Sequence, residues 1–482
     1  MRERIGYLPN IGEESFELKI LSFEGRLGKV EFEIPLLSQR QLEKVIATVK
    51  KASATVLKSM TVTEIISIID RAIETMLDRN SPYRRMAEEL LPIVTGYDAE
   101  MIRLGLTRFL KKFRKPELQR FVIEDFDNPL VLDDFQPRIK GGYSKAMGPD
   151  LIFHVWAGNV PALPLWSLIS GLLVKGGNIG KVSSSEPLFA GWFAQILVDI
   201  CPRLADTLAI VWWKGGDEER EKVILPSSDV VVGYGGNHSL ESLRKRAPHT
   251  TRFLAFGHKI SFGVIGNSTL DTRKVWKLAH QAAFDMIQFD QQGCYSPQIY
   301  YVQKGGKIAP SEFAKYLAHE LESFEKRFPR RGLSFEEVME VNEWRNQEEI
   351  SIYSNNNKEL LSAHDGRWMV VYEEDAPFSP TCLNRVVKVI TFDDIDDIAA
   401  SIQPYHSFLQ TVGIAATPNE LFQWAQELGK AGVTRVTAIG EMTSPESGWH
   451  HDGRFNLLDL VQMVDIESSA KLLADDLASY HE

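Results

Sequence analysis

The sequence is poor in cysteine. Only Cys201, Cys294 and Cys382 occur in 482 residues. They are widely spaced and odd in number, which excludes a disulfide framework and a cysteine-rich zinc centre. A basic run is also missing: the formal net charge of -11 is spread along the chain and leaves no electrostatic footprint for nucleic acid. Long apolar runs are absent too. The longest, residues 160–174, is interrupted by Pro161 and Pro164, whereas a bilayer-spanning helix needs about 20 residues. The N-terminal stretch MRERIGYLPN lacks the apolar centre of a signal peptide. These absences predict a reduced, cytoplasmic protein with no transmembrane segment and no nucleic-acid partner.

What the chain does have is core-forming material. Hydrophobic residues make up 44% of it, and at roughly 150 residues per domain the length implies about three units. Residues 16–20 and 30–34 alternate apolar and charged side chains around Glu24-Gly25-Arg26, predicting a half-buried hairpin. From 38 to about 112 the period changes, with Leu42, Val45, Ile46 and Val49 at helical intervals. Between about 150 and 264 the runs LIFHVWAG, GNIGKV, LAIVWW, DVVVGYGG and ISFGVIG alternate with helical segments, the pattern of β-α units feeding a parallel sheet. QIYYVQ, RWMVVY, RVVKVITF and TVGIAAT predict a second α/β unit. Ligands of such sheets bind at strand carboxyl ends, so the cleft between the units is the expected site.

Two segments carry candidate chemistry. FDQQGCYSPQIYYV places Cys294 between a glycine-containing turn and an apolar strand. Free cysteines are often inert core residues, and Cys201 beside Pro202 and Cys382 near Pro380 fit that description better. HVWAGNVPALPLWSLISGLLVKGGNIGKVSSSEP reads as strand, turn, helix and strand, which brings Asn159 and Lys181 to one sheet edge. His450-His451-Asp452 does not predict a metal centre, because neighbouring side chains diverge and no complementary ligands stand at suitable spacing.

Taken together, AGNVP at 157–161, KVSSSEP at 181–187, GYGG at 233–236, FGHKIS at 256–261, FDQQGCYSPQIYY at 289–301 and HDG at 451–453 resemble the aldehyde dehydrogenase superfamily. The resemblance is closer to the LuxC family, the acyl-CoA reductases of bacterial luminescence systems. It implies an α/β, aldehyde dehydrogenase-like fold: a strand and helix appendage at 1–110, a Rossmann-type dinucleotide-binding domain at 111–258, a catalytic thiol domain at 259–440, and a returning segment at 441–482. It further implies a small oligomerisation element, in which the strand at 463–467 pairs across subunits with a hairpin at about 130–150, and hence a homo-oligomer.

The same resemblance assigns roles. Cys294 matches the nucleophile that takes an acyl group from a thioester. Asn159 matches the side-chain amide that, with the Cys294 backbone N–H, holds the oxyanion. Lys181, Ser183 and Ser184 match the adenosine-ribose contacts, and Gly233, Gly235 and Gly236 the pyrophosphate turn. Gly257 and Phe378 complete the cofactor set. Ser184 stands where NAD-preferring relatives carry a glutamate, which implies NADPH, while Glu186 is a nearby carboxylate that offsets the change. Ala255 replaces the water-activating glutamate, which favours reduction over hydrolysis. His258 is read as a structural or cofactor-contacting residue, with acid-base chemistry the other option. Ala376 replaces the glutamate that contacts the nicotinamide ribose. Trp156, Leu163 and Trp166 are candidates for an acyl tunnel wall.

The implied activity is NADPH-dependent reduction of a long-chain fatty acyl-CoA or acyl-protein to fatty aldehyde, with an acyl-protein synthetase and an acyl-transferase as partners. Two other readings stay open: a short-chain CoA-acylating aldehyde dehydrogenase, and a non-catalytic acyl-binding or scaffold subunit.

Overall fold

A computed structural model describes residues 3–12 and 15–478; the outer ends of the first and last expected units, 1–2 and 479–482, lie outside the described residues, as do 13–14. The N-terminal hairpin forms as expected from Glu17–Gly25 and Gly28–Leu36, with Glu3–Arg4 added in parallel to the second strand. The helical stretch resolves into Gln39–Thr55, Val62–Leu77, Pro82–Thr95 and Ala99–Lys111. Ser38 with Gln41, and Thr61 with Glu64, form reciprocal capping boxes that satisfy N–H groups left free in a first turn. Leu42, Val45 and Val49 are fully buried and pack with Phe153 and Ile179. The first helix therefore covers one face of the sheet that follows.

That sheet has five parallel strands in the order Arg252–Phe256, Val230–Tyr234, Leu151–Val155, Gly177–Lys181 and Leu208–Val211. Chain order runs outward in both directions from Leu151–Val155, so the topological switch point lies at its carboxyl end. The helix Leu165–Leu173, which contains most of the longest apolar run, is buried along its whole length. Protein core, not lipid, accounts for its composition. Among the described residues no single helix is long and apolar enough to cross a membrane.

The second sheet has seven strands, in the order Lys358–Ser362, Met369–Glu373, Val386–Phe392, Pro297–Gln303, Ile260–Ile265, Leu409–Ala415 and Arg435–Ala438, all parallel except the first. Here one reading changes. ISFGVIG, expected to follow the first series, becomes Ile260–Ile265 in the second sheet, while Arg252–Phe256 takes the outer place in the first. Phe262 and Val264 are fully buried. An apolar run that is covered on both faces carries no periodicity to say which sheet it joins.

A third sheet joins Gln462–Ile466, Tyr143–Met147 and Gln136–Pro137 in antiparallel order. The closing strand thus pairs with the hairpin of its own chain, from Gln462 opposite Met147 to Ile466 opposite Tyr143, which corrects the expected pairing between subunits. Its other edge has no strand partner among the described residues.

Candidate active site

A cleft of about 310 Å³ separates the two large sheets. One wall comes from residues just past strand carboxyl ends in the first sheet: Ala157, Asn159, Gly235, Gly236 and Gly257. The other comes from the amino ends of strands in the second sheet, with Cys294 before Pro297–Gln303 and Gln410 at the start of Leu409–Ala415. The carboxyl-end expectation therefore holds for one wall only.

Cys294 follows an unusual turn. Phe289, Asp290 and Gln291 have φ of 47°, 50° and 65°, three consecutive left-handed positions without a glycine. Each costs on the order of 1 kcal/mol and persists because its surroundings fix it. The Gln291 side chain donates to the carbonyls of Pro297 and Val386 at 2.7 and 3.1 Å, and accepts from the Val386 N–H at 2.9 Å. A second left-handed run, Leu383, Asn384 and Arg385, lies beside it, and Arg385 forms an ion pair with Asp290. Ser261 Oγ donates to the Cys294 carbonyl at 2.8 Å and accepts from the Thr411 N–H at 3.1 Å.

Asn159 lines the same cleft as Cys294. Its Nδ2 donates to the Gln292 carbonyl at 2.6 Å, and its backbone carbonyl accepts from the buried Tyr97 hydroxyl at 2.7 Å. The Phe289 carbonyl stands 3.3 Å from the same hydroxyl. Cys294 itself is half-buried. Burial pushes its thiol up to about 11; the Asp452 carboxylate adds to that, while the Gln410 amide and Arg435 oppose it. The 255 position, half-buried at the end of its strand, presents only a methyl group. Cys201 follows the helix Phe189–Ile200 and Cys382 is buried in the core; neither lines the cleft.

The cofactor candidates divide. Gly236 caps the ten-residue helix Asn237–Arg246, and with Gly235 and Gly257 it faces Cys294 across the cleft. A Cβ on Gly257 would lie 2.3 Å from Asn237 Oδ1, which accepts from the His258 N–H at 3.1 Å; only glycine permits that closure. Gly233 is buried in its strand, and a Cβ there would strike Leu240 at 2.7 Å. Its smallness serves helix-to-strand packing. Lys181 ends its strand with Nζ 5.9 Å from the centre of the Trp213 ring, its ammonium pKa lowered by burial against the pull of Glu221 and Asp217. Ser184 accepts from Trp212 Nε1 at 3.0 Å, and Ser183 Oγ lies 2.9 Å from Ser185 Oγ.

Two expectations change here. Glu186 is 3% exposed and accepts from the N–H groups of Leu188 and Phe189 at 2.8 and 2.9 Å. Its carboxylate is committed to the start of the helix Phe189–Ile200, so it does not restore the carboxylate missing at Ser184. Phe378 is 4% exposed and packs on Phe262 and Tyr405. It belongs to the core of the second sheet and is not brought to the cleft.

Of the tunnel candidates, Leu163 lines the cleft. Trp156 is buried and donates to Ser167 Oγ at 2.8 Å; Trp166 packs on Phe113. His450 lies against Phe455, whereas His451 stacks on Phe256 with ring centres 4.3 Å apart, so the two histidines diverge. Among the described residues no group of three or more His, Cys, Asp or Glu side chains is placed to hold a metal ion. Sequence reasoning missed Tyr97 as a neighbour of Asn159, and Gln410, Arg435 and Asp452 as neighbours of Cys294. The HDG motif was the one available signal, and it was read only as a mark of the family resemblance.

Comparison with known proteins gives the constellation its context. The family profile described as acyl-CoA reductase (LuxC) matches residues 57–463. Relatives described as long-chain acyl-protein thioester reductases include a protein of Aliivibrio fischeri, 26% identical over 82% of this chain and 80% of that one. Another, from Photobacterium phosphoreum, is 24% identical over 94% and 89%. Among solved structures, aldehyde dehydrogenase 21 of Physcomitrella patens aligns with a TM-score of 0.73 at 14% identity, covering 97% of this chain and 99% of that one. The NADP-dependent glyceraldehyde-3-phosphate dehydrogenase of Bacillus halodurans aligns at 0.72 and 13%, covering 97% and 100%. The fold is that of the aldehyde dehydrogenases, and with a profile that spans most of its length the chain belongs to the acyl-CoA reductase (LuxC) family.

Proposed function

We propose that the chain reduces a long-chain fatty acyl thioester to fatty aldehyde, using NADPH and an acyl group carried on Cys294. The observation that carries this reading is one cleft that holds both the Asn159 amide and a cysteine directly after a fixed left-handed turn; the sequence match that puts Ala255 where a water-activating carboxylate would stand supports it. The names of the relatives support an acyl-protein donor, and the family description supports acyl-CoA.

In the first step the Cys294 sulfur attacks the thioester carbonyl, and the displaced thiol leaves the acyl group on Cys294. Asn159 and the Cys294 N–H stabilise the oxyanion, an arrangement whose donors are each worth about 10²–10³ in rate. The residues on the first wall fit a dinucleotide: Gly235 and Gly236 open the helix Asn237–Arg246 toward Cys294, where N–H groups favour a pyrophosphate. When bound, the cofactor supplies hydride to the acyl carbon. Asn159 then holds the second oxyanion, and the thiohemiacetal collapses to aldehyde with return of the Cys294 sulfur. Without a glutamate at 255, no side chain there activates water against the acyl-enzyme. Lys181, Ser183 and Ser184 hold the adenosine ribose. NADPH is favoured because Ser184 removes one carboxylate and Glu186 is turned into a helix start.

An acyl-protein synthetase and an acyl-transferase would supply the acyl group, and the unpaired edge of Gln462–Ile466 supports assembly into a homo-oligomer. Three free cysteines fit the cytoplasm. The test is incubation with labelled myristoyl-CoA followed by NADPH, with Cys294 followed by mass spectrometry. Acylation of Cys294 that disappears with release of tetradecanal is expected. Absence of acylation, or unchanged labelling in Cys294→Ala, overturns the reading. Activity confined to two- and three-carbon thioesters replaces it with the short-chain enzyme.

A further inference from the structure

The acyl-transfer step leaves a proton without a destination. Cys294 is a thiol at neutral pH, because burial holds its ionisation near pH 11, and the position that carries a base in related oxidising enzymes is Ala255. Something on the other side of the cleft has to accept the proton.

Asp452 lines the same cleft as Cys294. Its side chain is 7% exposed, and its φ of 53° turns the His451–Gly453 corner. Gln410 ties the two together. It is fully buried, its Nε2 donates to Asp452 Oδ1 at 2.6 Å, and its amide lies against the Cys294 thiol. The Gln410 Oε1 is buried and has no hydrogen-bond partner. Lys259 Nζ stands 3.8 Å from Asp452 Oδ2, close enough to bias the carboxylate but not to neutralise it by direct contact.

The other titratable groups around the pair are poorly suited to take the proton. The Tyr234 and Tyr295 phenols are pushed far up by burial and would have to lose their own protons first. The Arg435 guanidinium has no acceptor and donates to the carbonyls of Met442 and Glu441. The His451 ring lies between Phe256 and Trp449, and burial lowers its basicity. His258 stands over Gly236, on the cofactor side.

We infer that Asp452 accepts the proton of the Cys294 thiol during acyl transfer and that Gln410 is the residue that positions it, an assignment that rests on the acyl-enzyme reading above. The S–H bond of Cys294 breaks as its sulfur bonds to the acyl carbon, and an O–H bond forms on Asp452. The bond from carbon to the donor's sulfur then breaks, and Asp452 returns the proton to the departing thiolate. Thiol and carboxylate are restored in number, and no oxidant or reductant takes part. The arrangement also removes a repulsion: a thiolate beside a carboxylate is unfavourable, whereas moving the proton between them leaves one negative charge where two would stand.

The decisive measurement is the pre-steady-state rate of Cys294 acylation by myristoyl-CoA, without nucleotide, against pH. With Asp452 as acceptor, wild-type acylation is flat from about pH 6.5 to 9 and shows a solvent deuterium effect of about 2. Attack by free thiolate instead predicts a tenfold rise per pH unit toward 11 with no isotope effect, and that result overturns the inference while sparing the acyl-enzyme. Asp452→Asn should slow acylation at pH 7 at least 100-fold and restore the tenfold-per-unit slope. Gln410→Leu should slow it less, and Asp452→Glu should recover part of the rate. A variant that acylates at or above the wild-type rate, as loss of a merely repulsive carboxylate would produce, also overturns it. No acylation of the wild type removes both this inference and the reaction it serves.

Discussion

Arg385 and Asp290 meet at 2.7 Å with both side chains only 2% exposed, each at the end or middle of a left-handed run. Arg385 also reaches Glu325 at 2.7 Å. This pair clamps the turn before Cys294 to the strand Val386–Phe392. Removing one partner of a buried ion pair leaves its counter-charges stranded and typically costs about 3–5 kcal/mol. Arg385→Met is therefore expected to lower the unfolding free energy by that amount, shifting the urea midpoint down in proportion, and to cut Cys294 acylation in the fraction that stays folded. Equilibrium unfolding followed by tryptophan fluorescence checks it.

Asn159 is exposed, so Asn159→Ala should fold normally. Loss of one oxyanion donor is expected to reduce both acylation and aldehyde formation about 10²–10³-fold. Circular dichroism and single-turnover assays on the same preparation separate chemistry from folding.

Alkylation of Cys294 by iodoacetamide should climb about tenfold per pH unit from 7 and level off near 11, the value to which its burial pushes it. The sign for stability follows. The thiol ionises at about 8.5 when unfolded and higher when folded, so its contribution is complete below about pH 8.5 and is lost as pH rises through about 11. Cys294→Ala should flatten the alkaline limb of the stability profile over that window, as thermal melts between pH 7 and 11 can measure.

Ser184→Glu is expected to turn the cofactor preference toward NADH by at least about tenfold in kcat/KM, because a carboxylate near the ribose repels a 2′-phosphate and accepts from a 2′-hydroxyl. Steady-state assays with both nucleotides give the ratio directly.

How far the sequence carried these conclusions depended on what kind of signal each feature left. The strands of the first sheet and the hairpin of the N-terminal unit were legible because period and turn residues are local properties. Cys294, Asn159 and Lys181 were legible as motif positions. The alternation of apolar runs put Ile260–Ile265 with the first sheet, although the domain boundary implied at 259 put it with the second, because a fully buried strand looks the same in either. Phe378 was carried over by motif alone, while its apolar ring found the core. Glu186 was read by its distance from Ser184, although an acidic residue just before a helix is as readily a cap, and that is where it went. Tyr97, Gln410 and Asp452 left no pattern: they stand 62, 251 and 293 positions from Asn159 and converge only when the two sheets face each other.

The hydroxyl of Tyr97 has a consequence that reaches beyond its two carbonyl neighbours. It sits between the helices Pro82–Thr95 and Ala99–Lys111, yet it stands at the seam where the loop that carries Asn159 meets the turn that precedes Cys294. The N-terminal helices are thus a gauge block for the machine: they set the gap between its two jaws without touching what is held there.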